Sequence, residues 1–292
     1  MIRLFKDKYL ISKFSKLSLL YYLLTEPPIR KNIHKNMYDR IRRINRLLLK
    51  VFGIPKKNKK NPDPVDLLIA TILSQNTNDK NSYQAYKNLK EKFKSWEEVA
   101  ELPLSKIEKT IKVAGLGKQK SKAIKNFLTK IINNMPDKPT LNARSKLTKT
   151  SLTKSGKISL DHFSEMDNDK ILNELTSFKG IGIKTAACVL LFSLDRNVCP
   201  VDTHVHRTLN RIGLVKTSSP EKTFYIINEQ LPDGIAHQFH TNLIRLGREI
   251  CKPSKPKCTI CPLLHNCKYD EKNLDLVSVK IKNDFMLLDE IH

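Results

Sequence analysis

The sequence predicts an all-α fold. Apolar residues recur at helical spacing along most of the chain, alternating strand patterns are scarce, and short loops with capping residues separate the helical stretches. Hydrophobic residues make up 40% of the 292, enough for a real core spread over one or two domains. No apolar run approaches the roughly 18 residues of a membrane span, and only 9 glycines exclude a collagen-like chain.

In chain order, Ile41, Ile44, Leu47, Leu48 and Val51 mark the first core-facing helix, and the essential domain is expected to open at Met37. Asp63-Pro64 is a strong helix opening for the apolar stretch 65–74. Further helices are expected over 80–92, 95–101, 104–113, 119–133, 169–175, 184–194, 204–212, 220–231 and 236–251.

Charge narrows the function. The chain has 53 Lys+Arg against 29 Asp+Glu, a net +24, and residues 1–60 hold 17 basic residues against Asp7, Glu26 and Asp39. Clustered cations gain affinity for polyphosphates by releasing counterions, so a polyanionic partner is expected. Residues 1–36 form a basic extension around the apolar run Leu17–Leu24, either targeting or dispensable; without a small-residue cleavage site it does not read as secretory. Residues 142–157 carry five basic and no acidic residues among Ser and Thr, which reads as a basic insertion.

Four of the six cysteines, Cys251, Cys258, Cys261 and Cys267, fall as C-x6-C-x2-C-x5-C. Four thiolates so close suit structural zinc or an iron–sulfur cluster. A single C-x2-C hairpin, where zinc sites usually use two, favours iron–sulfur. Lys252, Lys255 and Lys257 lie in the loop those ligands would fix, where ammonium groups can meet a phosphate backbone. Cys188 and Cys199 stand apart and read as buried small hydrophobes. Upstream, Phe178-Lys179-Gly180-Ile181-Gly182-Ile183-Lys184 places G-x-G between two helices, where the amides can hold a phosphate. Ala114-Gly115-Leu116-Gly117-Lys118 repeats the theme. Val201-Asp202-Thr203-His204 sets a carboxylate at a helix start, where a simple N-cap is the plain alternative.

Taken in order, Leu73-Ser74-Gln75-Asn76-Thr77, the Lys179–Lys184 hairpin, Val201-Asp202-Thr203-His204 and the cysteine array resemble the endonuclease III family of helix-hairpin-helix DNA glycosylases, over about residues 64–267. The resemblance implies two helical lobes with the active site between them and a C-terminal 4Fe–4S cluster on Cys251, Cys258, Cys261 and Cys267. The implied segments are an N-terminal helix of the cluster lobe (37–63), a middle lobe (64–170), a helix-hairpin-helix and catalytic segment (171–250), a cluster loop (251–267) and a tail (268–292).

By the same resemblance, Lys184 is the catalytic lysine and Asp202 the catalytic aspartate of a bifunctional glycosylase and abasic-site lyase acting on oxidised pyrimidines in duplex DNA. A lysine attacks a sugar carbon only as the neutral amine, and a carboxylate steadies the cationic sugar. Gln75 or, by register, Asn76 would wedge into the base stack when the nucleotide is flipped. The amides of Gly180, Ile181 and Gly182 would grip phosphates. His204 and His206 read as packing or phosphate contacts, and the role of His240 stays open. Lys179 departs from the family's usual proline before the hairpin glycine. The same fold could instead serve mismatched uracil or thymine, or an oxidised purine, and a non-catalytic iron–sulfur DNA-binding module is the third reading. A monomer in a cytoplasmic, nucleoid or other DNA-containing compartment is expected.

Overall fold

A computed structural model describes residues 28–57, 59–133, 158–276, 287 and 291, with side chains from Asn36 onward. Most of the basic extension, the insertion at 142–157 and residues 277–286 of the tail lie outside the described residues. Among those described there is no strand, and no helix is long and apolar enough to cross a membrane.

The helices run α1 Pro28–Phe52, α2 Pro64–Leu73, α3 Asp79–Lys92, α4 Trp96–Glu101, α5 Leu104–Thr110, α6 Gly117–Asn133, α7 Asn168–Thr176, α8 Ile183–Cys188, α9 Thr203–Ile212, α10 Pro220–Glu229 and α11 Ala236–Arg245. Two expected helices end differently. The stretch expected over 184–194 passes into a π-helical turn at Val189–Ser193, and that over 236–251 into another at Leu246–Ile250. One extra residue per turn is a tertiary adjustment that hydrophobic periodicity does not reveal.

Helix α2 organises the molecule. Every residue from Val65 to Leu73 is buried, as expected of a helix that is apolar all round. It starts sharply because Asp63 accepts from the amides of Val65 (2.8 Å) and Asp66 (3.1 Å), with Pro64 at the first helical position. Its one acid, Asp66, is buried and satisfied by the Trp96 indole N–H (2.7 Å) and Lys90 Nζ (3.1 Å). α3, α6 and α8 pack around it.

Helix α1 lies against α11. Asn242 Nδ2 donates to Gly53 O (3.0 Å), and Arg40 Nη2 reaches Gly213 O (2.9 Å) at the end of α9. Ile41, Ile44 and Leu48 are buried as the sequence pattern predicts, but Val51 is 37% exposed. Phe52, four residues after Leu48 at the last position of α1, packs against the core instead. Met37 sits inside α1, which begins nine residues earlier.

Candidate active site

Lys184 is positioned by the hairpin. α7 ends at Thr176, the chain reverses through Lys179-Gly180-Ile181-Gly182, and α8 begins at Ile183, so the lysine stands in the first turn of a helix. Gly180 has φ +96°, and a Cβ there would lie 2.7 Å from Ala123 Cβ on α6; conformation and space both require glycine. The Ile181 amide closes the turn by donating to Phe178 O (3.0 Å). Gly180 and Gly182 are exposed.

Asp202 caps α9, accepting from the Val205 amide (2.8 Å). Its carboxylate and Lys184 line one cavity of about 410 Å³, which lies in the usual size range for ligand pockets. Cys188, one turn beyond Lys184, is fully buried; burial pushes its thiol up and the Lys184 charge opposes the rise.

The cavity also contains His240 from α11, with no exposed surface. Its Nδ1 lies 2.9 Å from Pro200 O, so Nδ1 carries the proton and Nε2 is left as an acceptor, buried with no hydrogen-bond partner. Burial pulls the imidazole down to about 4; Asp202 opposes this, while Lys184 and His237 add to it. The ring is therefore neutral at neutral pH. His204 also faces the cavity, lowered by burial against the pull of Asp202. His206 does not, and packs against Thr223 Oγ1 (2.7 Å) and Asn210 Nδ2 (3.2 Å).

The turn after α2 forms the rim. Gln75 Nε2 donates to Gly180 O (3.2 Å), joining this turn to the hairpin, while Asn76 is exposed with φ +52°, a left-handed conformation that Asn adopts more readily than most residues. Across the cavity, Arg248 grips Asp79 through both nitrogens (2.9 and 3.1 Å). The Leu287 amide donates to the same carboxylate (3.2 Å), placing a residue of the C-terminal tail in the wall.

The other side of α9 carries the cysteine loop. Arg207 donates to Cys251 O (3.1 and 3.0 Å) and Gly247 O (2.8 Å). Arg211 donates to Lys252 O (2.7 Å) and Pro253 O (2.8 Å), lies 3.7 Å from Cys251 Sγ, and stacks 4.2 Å above the Tyr269 ring. Cys251, Cys258, Cys261 and Cys267 line one small space of about 20 Å³. Among the described residues, no three His, Cys, Asp or Glu donors come together as a site for a single metal ion. Burial pushes the Cys261 thiol up to about 12.

The HhH-GPD superfamily of base excision DNA repair proteins matches residues 69–233. Endonuclease III of Thermotoga maritima is 31% identical over 213 residues, 73% of this chain and 86% of that protein. The chain belongs to the endonuclease III family. A putative DNA glycosylase of Arabidopsis thaliana is 32% identical over 210 residues, and the chain spans 65% of that protein's length. A trapped covalent intermediate of endonuclease III with DNA superposes with a TM-score of 0.62 at 26% identity, covering 79% of this chain and 95% of that one. A thermostable thymine-DNA glycosylase shares the fold, with a TM-score of 0.55 at 21% identity.

Within this endonuclease III fold, Lys184, Asp202, Gln75 and Asn76 line one cavity. The hairpin residues Gly180, Ile181 and Gly182 stand beside it, and Lys252, Lys255 and Lys257 lie apart on the cysteine loop. Sequence reading did not place Asp79, Arg248 or Leu287 at the site. No local pattern marks them: Arg248 and Asp79 are 169 residues apart, and Leu287 and Asp79 are 208 apart.

Proposed function

We propose that this base excision repair protein is a bifunctional glycosylase and abasic-site lyase for damaged, oxidised pyrimidines in duplex DNA. The observation that supports it most is the shared cavity of Lys184 and Asp202, each at the start of its helix, with the exposed Asn76 at the rim.

A base inside the duplex is out of reach, so the nucleotide is swung out and Asn76 fills the gap. The Lys184 amine bonds to C1′ as the glycosidic bond breaks, and the base leaves with the bonding pair and gains a proton. Opening of the C1′–O4′ bond, with a proton to O4′, yields a Schiff base. Loss of a C2′ proton then breaks the C3′–O bond, and the 3′ phosphate departs with that electron pair. Asp202 takes the proton from the attacking amine and steadies positive charge at C1′. His240, being neutral, adds an acceptor to the wall and no second cation to repel Lys184. The hairpin holds the backbone through Gly180 and Gly182; the Ile181 amide is already used within the turn.

The cysteine loop fits a 4Fe–4S cluster: the donors are all thiols, they face one space, and Arg207 and Arg211 stand beside them to offset negative charge. Such a cluster supplies iron–thiolate bonds that fix the loop. Cys251, Cys258, Cys261 and Cys267 would hold it, and Lys252 and Lys255, both exposed, with Lys257 beside them, would meet phosphates.

Borohydride trapping on duplexes containing thymine glycol, uracil, 8-oxoguanine or an abasic site tests the reading. An adduct on thymine glycol and on the abasic site, absent in Lys184→Ala, is expected. Base release with no adduct on any duplex would show a simple glycosylase, and binding without release would show a DNA-binding module. Reaction confined to uracil or 8-oxoguanine would move the specificity.

A further inference from the structure

The buried lysine of α6 has no part in the chemistry described above. Lys120 is 2% exposed, and its Nζ donates to Leu73 O and Ala114 O, both at 2.8 Å. Those carbonyls end two different segments. Leu73 closes α2 just before the turn that carries Gln75 and Asn76, and Ala114 closes the short 3-10 turn before Gly115-Leu116-Gly117. A helix C-terminus has carbonyls with no partner in the helix, and a cation is the favourable partner for them. Burying an ammonium is costly, and burial pulls this one down to about 8.

The two tethered segments share a second feature. Asn76, three residues beyond Leu73, has φ +52° and is exposed, and Leu116, two residues beyond Ala114, has φ +48° and is 47% exposed. A left-handed Leu pays steric strain, and its apolar side chain faces water. Strain of this kind persists only where the surrounding structure holds it. Apolar wedges are also the side chains that proteins insert between base steps.

We propose that Lys120 is a positioning residue that pins the Asn76 and Leu116 turns to each other, so that both tips enter the duplex together when the nucleotide is flipped. This rests on the glycosylase reading above. One ammonium bonded to both turns sets the spacing between their tips, and a wedge displaced by about 1 Å loses much of its effect on rate. The role predicts that opening of the duplex depends on Lys120, whereas reaction at a site that is already open does not.

The test compares wild type with Lys120→Met and Leu116→Ala. Three readouts are needed: thermal melting, fluorescence of 2-aminopurine placed opposite the lesion, and single-turnover rates on a thymine glycol duplex and on an abasic-site duplex. An abasic site has no base to unstack, so it separates chemistry from opening. For Lys120→Met the proposal expects a cooperative melt, loss of the 2-aminopurine signal, base excision slowed about tenfold or more, and abasic-site cleavage within about twofold of wild type. Leu116→Ala, which leaves Lys120 in place, should lose the same signal. Equal loss of both rates, or wild-type fluorescence in Lys120→Met, overturns it. If wild type itself neither raises the fluorescence nor excises a base, the glycosylase reading has failed instead.

Discussion

The two sides of helix α9 are built on opposite principles. At its N-terminus Asp202 opens on a cavity in which one buried polar atom, His240 Nε2, has no hydrogen-bond partner. Farther along, Arg207 and Arg211 donate to a run of backbone carbonyls in and just before the cysteine loop, at Gly247, Cys251, Lys252 and Pro253. Polar groups without internal partners are available to a substrate; polar groups saturated by the protein serve its stability. On the proposed reading the same helix therefore holds a reactive site and a structural one, and substitutions on the two sides should fail differently.

The sharpest way to expose that difference is Lys184→Ala. On the proposed mechanism it should reduce adduct formation by at least about 10³-fold, as removal of a nucleophile does, while the melting temperature stays near that of wild type. Trapping assays and thermal melts on the same preparation check both halves. Asp202→Asn comes next. Asparagine caps a helix as well as aspartate, so the fold should hold, but the lost carboxylate should slow the single-turnover rate about 10²-fold.

On the other side of the helix the order of effects reverses. Arg211→Ala removes donors to two carbonyls and the Tyr269 stack, and should cost about 2 kcal/mol of stability in denaturant unfolding. On the proposed cluster reading, its absorbance near 400 nm should fall along with stability. Rates per correctly folded molecule should stay close to wild type; a large fall in rate with full stability would erase the contrast.

A pH titration sharpens the comparison from within the cavity. His240 is held at about 4 in the folded protein, against 6.5 for an ordinary imidazole. As pH drops below 6.5 the unfolded chain takes up this proton first. The associated stability, about 3 kcal/mol, is thus complete above pH 6.5 and lost on approach to pH 4. Denaturant unfolding at intervals across that range should show the slope in wild type and lack it in His240→Gln.

Most of the helices were legible in the sequence because their signals are local. Asp63-Pro64 starts α2, Asp202 caps α9, and the Gly180 turn declares itself by its glycines. The cysteine array is equally local, with all four thiols inside 17 residues. Val51 and the two π-turns escape the sequence pattern because a periodic pattern assumes an ideal helix, and packing against neighbours decides where a real one shifts by a residue.

By itself, then, the sequence determined the all-α class, the turn that presents Lys184, the cap at Asp202 and the grouping of the cysteines. Each depends on backbone preference or on residues a few positions apart. Only the tertiary structure decided that His240 lies buried in the same cavity wall, that Arg248 and Leu287 meet at Asp79, and that Lys120 joins two turns 41 residues apart at Leu73 and Ala114. Those contacts depend on how the helices pack around α2, and a buried polar group finds its partner wherever that packing brings a carbonyl or carboxylate within reach.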